Sequence, residues 1–121
     1  ARRGAGGLLM ASLSTHVLDS GTGRPAEGVP VQLEMKDAGG WVSLAGAATD
    51  ADGRIRDWGS DVIVTPGIFR LTFGTGEWFG QQGRECFYPE VTVTFQVADG
   101  AAHFHVPLLL SAFAYSTYRG S

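Results

Sequence analysis

The chain contains one lysine, Lys36, and no run of basic residues. With a net charge of -3 and an isoelectric point near 5.5, it lacks the clustered Lys and Arg of a nucleic-acid-binding surface. Cys86 is the only cysteine, which excludes an intramolecular disulfide and a cysteine-built zinc centre. A lone thiol fits a reducing compartment and is also compatible with export; the expected location is the cytoplasm, with the peroxisome as the alternative. No stretch approaches the ~20 apolar residues of a membrane-spanning helix, and no membrane partner is expected. Strong helix formers are scarce. Glycine is abundant instead: 18 in 121 residues, about double the average share of ~7%. That balance suits many short strands joined by tight turns. The length allows one domain with one core.

Residues 1–10 are rich in Gly and Ala and show no strand alternation. They lack the longer apolar region and cleavage site of a secretory signal. The expectation is a disordered leader or tag, with the domain running over 11–121. Leu13, Thr15 and Val17 then alternate with Ser14, His16 and Leu18, the period of a strand. Turn formers fill 19–25. Val29, Val31, Leu33 and Met35 share one face of a second strand, and a reversal at 36–40 returns 41–44 as its hairpin partner. Residues 50–53 (Asp-Ala-Asp-Gly) form a tight turn that delivers Arg54. Phe69, Leu71 and Phe73 line a further strand after the turn at 65–67. A short helix is expected over 77–82, weakened by its glycines. Val91, Val93, Phe95 and Val97 give the clearest alternation, followed by a turn at Asp99-Gly100. Two strands close the chain, at 103–110 and about 114–118. The fold class is therefore all-β: an antiparallel β-sandwich of seven to eight strands with one short helix.

Three histidines are present: His16, His103 and His105. Phe104, Val106, Leu108 and Leu110 form a continuous apolar face, so His103, His105, Pro107 and Leu109 point the other way. His16 leaves the core face of its own strand by the same parity. Exposed strand histidines are ordinarily just solvated, but this outer face also carries Leu18, Pro107 and Leu109, which favour a partner surface. A zinc site of three histidines has no support from spacing, and no metal or other cofactor is expected. There is no Gly-x-Ser-x-Gly elbow and no phosphate-binding glycine loop. The residues alone thus describe an all-β domain suited to self-association.

Several motifs narrow this. Residues 118–121 read Tyr-Arg-Gly-Ser, and 13–19 read Leu-Ser-Thr-His-Val-Leu-Asp. Residues 52–54 are Asp-Gly-Arg, and 87–91 are Phe-Tyr-Pro-Glu-Val. Phe-His-Val-Pro-Leu-Leu-Leu-Ser occupies 104–111, ahead of Tyr-Ser-Thr-Tyr-Arg-Gly-Ser at 115–121. In this order the chain, from about residue 12 onward, resembles the 5-hydroxyisourate hydrolases, the enzymatic branch of the transthyretin-like family. The resemblance implies a transthyretin-like (prealbumin-like) sandwich and a homotetramer, a dimer of dimers, with active sites at the mouths of a central channel. One departure stands at 111–114, Ser-Ala-Phe-Ala, where the family commonly has Ser-Pro, an aromatic residue and Gly or Ser. The alanines are expected to relax that turn.

The implied activity is opening of the ring amide of 5-hydroxyisourate, an oxidised purine of urate degradation, without a cofactor. His16, Arg54, His105 and Ser121 match the catalytic positions. His16, Arg54, Ser116, Tyr118, Arg119 and Gly120 match the substrate-binding ones, and His103 is left as structural. Two imidazoles that titrate near neutrality supply base and acid, and the guanidinium a fixed cation for developing oxyanion charge. The alternative is a non-catalytic carrier that binds an aromatic ligand in the same channel. Such a carrier has no use for His16, Arg54, His105 and an intact tail. A plain interaction module is a third reading, and it predicts a monomer.

Overall fold

The computed structural model of the chain describes residues 11–98 and 102–121. The leader at 1–10 and the turn at Asp99-Gly100 lie outside the described residues. Among the described residues nine strands and one helix follow in order: β1 (Ser12–Asp19), β2 (Arg24–Pro25), β3 (Pro30–Asp37), β4 (Gly40–Ala48), β5 (Arg54–Ile55), β6 (Gly67–Phe73), α1 (Thr75–Gln81), β7 (Val91–Val97), β8 (His103–Leu110) and β9 (Tyr115–Thr117). One sheet has the order β2-β1-β8-β9, with β5 also paired to β1; the other has the order β4-β3-β6-β7. Seven of the strands are those expected from alternation. The two extra ones, β2 and β5, are two residues each, too short to leave a periodic signal.

The core lies between the sheets. Val31 and Leu33 of β3, Phe69, Leu71 and Phe73 of β6, and Val17, Leu108 and Leu110 of the opposite sheet are all fully buried. Helix α1 contributes Phe79 and Trp78, with the Trp78 indole donating to the Glu27 carbonyl at 2.7 Å. Polar groups on the inward face are satisfied. Thr15 donates to the Val106 carbonyl at 2.6 Å. Buried Asp19 accepts from the Gly21 amide at 2.9 Å and pairs with Arg84 at 2.9 Å. Burial alone would raise the Asp19 pKa, but the Arg84 hydrogen bond and the neighbouring amides outweigh it and hold the carboxyl below its usual range.

One pairing departs from an all-antiparallel sandwich. Strands β1 and β8 run parallel along their whole length, from Ser12 opposite His103 to Asp19 opposite Leu110. Parallel neighbours need a long crossover, and here the whole of the second sheet lies within that crossover. The consequence for function is direct: the pairing lays the outward residues of β1 beside the histidines of β8.

Candidate active site

Outward residues of β1 are Ser12, Ser14 and His16, and those of β8 are His103, His105 and Pro107. The register sets Ser12 beside His103, Ser14 beside His105 and His16 beside Pro107. On the other edge of β1, Arg54 of β5 stands opposite His16, and Arg56 follows on the same face by parity. The turn before β5 fixes this placement. Asp50 accepts the amides of Asp52 and Arg54, each at 2.9 Å. Gly53 has φ +77°, and a Cβ there would overlap the Val17 carbonyl and lie 3.2 Å from the Ala26 nitrogen. The Gly53 carbonyl accepts the Val17 amide at 2.7 Å. Only glycine allows the turn to sit this close against β1, so Arg54 has a set position.

A surface groove gathers Arg54, Arg56, His103, His105 and Ser121, floored by Ser12, Leu13 and Ser14. It is cationic, with two guanidiniums and no carboxylate side chain along its walls. His105 is half-buried. Burial first, then the positive charge of Arg54 and the neighbouring His103 and His16, push its pKa below the ordinary imidazole value. His105 is thus neutral at neutral pH, the form that accepts a proton. Among the described residues no three His, Cys, Asp or Glu side chains stand as a metal-ligating group. Both nitrogens of His103 are already engaged by Ser12 and Ser14.

The tail reaches the groove through β9 and a close approach. Thr117 donates to the Pro107 carbonyl at 2.7 Å, and the Gly120 amide donates to the His105 carbonyl at 2.8 Å. A Cβ on Gly120 would overlap His105 Cδ2 and lie 3.1 Å from Cγ. This packing sets Ser121 at the groove. In the turn at 111–114 the Ser111 amide donates to the Ala114 carbonyl at 2.9 Å, and the Phe87 amide to that of Ala112 at 2.7 Å.

Of the expected site residues, Arg54, His105 and Ser121 share the groove, His16 flanks it opposite Arg54, and Gly120 packs on His105. Tyr118 is exposed and borders an apolar hollow beside Phe95 and Val106. Arg119 lies over the Phe104 ring, 4.7 Å from its centroid, on the inward side of β8 rather than in the groove. Ser116 pairs with Leu109, four residues along β8 from His105, about 13 Å at the rise of a strand. Sequence reasoning passed over Ser12, Ser14, Arg56 and the engagement of His103. The signal available was parity: Arg56 lies two residues from Arg54, and Ser-x-Ser and His-x-His share one period.

Residues 13–120 match the HIUase/Transthyretin family. The chain belongs to that family. It is 47% identical over 109 residues to a 5-hydroxyisourate hydrolase of Salmonella dublin, covering 90% of this chain and 80% of that protein. The solved structure of Klebsiella pneumoniae 5-hydroxyisourate hydrolase is 41% identical, with a TM-score of 0.81 over 93% of this chain and 100% of that one. Transthyretin from Sparus aurata superposes with a TM-score of 0.84 at 32% identity, over 90% of this chain and 96% of that one. The proteins it resembles thus include both 5-hydroxyisourate hydrolases and transthyretin.

Proposed function

We propose that this protein is a hydrolase that opens the ring amide of 5-hydroxyisourate in urate degradation. The observation that carries the reading is the meeting of a neutral, half-buried imidazole, His105, with the Arg54 guanidinium in one groove, with His16 directly across from Arg54. Ring-amide hydrolysis needs an activated water, a cation for the oxyanion and a proton for the departing nitrogen. His105, held neutral, takes the proton of the attacking water. Arg54 meets the oxygen that becomes negative, a fixed charge aimed at the transition state. His16, on β1 between Arg54 and strand β8, supplies the proton to the leaving nitrogen. Ser121 hydrogen-bonds the flat ring. Arg56 adds positive charge that suits an anionic purine derivative. No cofactor takes part in these steps.

Arg119 enters as an anchor for the tail, through its stacking on Phe104. Ser116 and Tyr118 enter as side chains that a facing subunit would cover. The proposed assembly is a homotetramer, supported by Tyr115 and Tyr118, 42% and 58% exposed, and by Leu18 and Leu109 on the outer face. The proposed compartment is the cytoplasm, supported by the presence of a single cysteine, Cys86, as fits a reducing environment. Ultraviolet decay of freshly generated 5-hydroxyisourate, with and without protein, tests the reading. Acceleration over the spontaneous decay is expected. Unchanged decay together with saturable binding of an aromatic ligand would favour the carrier instead.

A further inference from the structure

His103 was left without a role by its sequence, yet it sits inside an unbroken chain of side-chain hydrogen bonds that runs from Ser12 to His105. Ser12 Oγ lies on His103 Nδ1. Ser14 Oγ lies 3.0 Å from His103 Nε2 and 2.7 Å from His105 Nδ1. The two rings are nearly parallel, with centroids 6.4 Å apart. Partners 89 and 91 residues apart in sequence meet because β1 and β8 pair in parallel register.

A serine hydroxyl has a single proton. Ser14 therefore donates to one imidazole and accepts from the other, and the tautomers of the two rings are coupled. If His103 gives its Nδ1 proton to Ser12, its Nε2 accepts from Ser14. Ser14 Oγ must then accept Nδ1–H from His105, which leaves His105 Nε2 bare and able to act as a base.

We propose that His103, acting through the Ser14 hydroxyl, is a positioning residue that holds the His105 proton on Nδ1 and takes up the positive charge after His105 accepts a proton. This rests on the hydrolase reading above. The transfer balances. An Nε2–H bond forms on His105 as water gives up a proton, and the hydroxide is left to attack the ring carbonyl. The His105 Nδ1–H bond breaks to Ser14 Oγ while the Ser14 O–H bond breaks to His103 Nε2. His105 ends neutral with its proton on Nε2, and His103 ends as the imidazolium.

The direction of transfer follows from surroundings. His105 is half-buried and faces His16 and Ser14 on β1, Arg54 on β5 and Arg56 just after it, His103 on β8, and Gly120 and Ser121 in the tail. It has cations around it and no carboxylate side chain lining the groove. His103 is exposed to solvent, where a positive charge is hydrated.

The test uses the full chain with His103→Phe, Ser14→Ala and the double variant. His103 is exposed, so its replacement does not remove core packing. Each single change is expected to lower kcat on the order of 10-fold or more, below the ~100- to 10,000-fold of deleting an acid–base group itself. KM should hold within about twofold, and the double variant should lose no more than the worse single one, since the chain acts as a unit. The acid limb of the kcat/KM profile should move to higher pH in His103→Phe, because one positive neighbour of His105 is gone. Ring ¹⁵N shifts in the free protein should show His105 losing its Nδ1–H form in both variants. Unchanged kcat, pH profile and His105 tautomer in His103→Phe, or losses that multiply in the double variant, would overturn the proposal. If the wild-type protein leaves 5-hydroxyisourate untouched, the hydrolase reading fails and the ¹⁵N measurement alone decides the coupling: unmoved shifts reject it, a moved tautomer upholds it.

Discussion

Gly120→Ala is the sharpest perturbation the structure offers. The backbone at this position is not in the left-handed region, so alanine is conformationally allowed, and the conflict is purely steric. The new methyl would overlap His105 Cδ2 and stand 3.1 Å from Cγ and 3.3 Å from Cβ, against ordinary carbon–carbon contacts of ~3.5–4.0 Å. Relief requires a shift on the order of 1 Å. Two movements supply it. The imidazole turns off its rotamer, at about 0.5–1.5 kcal/mol, and strains its 2.7 Å bond to Ser14. Alternatively the tail lifts, giving up the 2.8 Å amide bond to the His105 carbonyl, worth about 1 kcal/mol net. Either way the stability loss is about 1–2 kcal/mol, a fall of several degrees in Tm for a domain of this size. The activity loss is far larger in proportion, because a 1 Å misplacement of a reacting group costs about 100-fold. Gly80→Ala is the control: nothing lies within 4 Å of its added Cβ in α1, and alanine there gains up to ~1 kcal/mol of helix propensity. The assay is kcat/KM from 5-hydroxyisourate decay, alongside thermal unfolding. A Gly120→Ala protein with wild-type kcat/KM would refute the claim that the tail holds His105 in place.

Further predictions concern charge. Arg54→Lys keeps a cation but loses the planar fork, and kcat should fall at least 10-fold with little change in Tm; equal kcat would remove Arg54 from the oxyanion role. Because the His105 pKa is lowered, kcat/KM should stay high through neutral pH and decline only below the ordinary imidazole value of ~6.5; a decline beginning above pH 7 would contradict a neutral His105. The same sign holds for stability: the folded state disfavours the charged ring, so that contribution is present above ~6.5 and is lost as pH falls through the lowered pKa. Asp19, also lowered, contributes stability above the unfolded carboxylate value of ~3.9 that disappears on further acidification. Arg84→Ala should remove about 2 kcal/mol at neutral pH, measured by denaturant unfolding, and flatten the acid side of the stability curve.

How much of this was legible in the sequence follows from what alternation encodes. A period of two reports which face a residue takes, and it placed Val17, Leu33, Phe69 and Phe73 inside and His16 and His105 outside. It reports nothing about strand direction, so the parallel β1–β8 pairing was not visible, and an all-antiparallel sandwich was the natural reading. Strands β2 and β5 have too few residues to alternate. The motifs that carry Arg54, His105 and Ser121 lead to the groove, because each carries its chemistry locally. The role of Ser14 and His103 was hidden because it exists only once residues some 90 positions apart stand side by side. Arg119 was hidden differently: its long side chain folds back over Phe104, a contact that parity along a short tail does not specify. The family resemblance supplied a tetramer and a substrate, whereas the lowered His105 pKa and the packed Gly120 come from the folded chain itself.

The role of His105 as the base of this groove is tested most directly by the initial rate of 5-hydroxyisourate opening by His105→Ala. With folding verified by thermal unfolding, the rate is predicted to fall ~100- to 10,000-fold below that of the wild type. A variant that turns over substrate at the wild-type rate would contradict it.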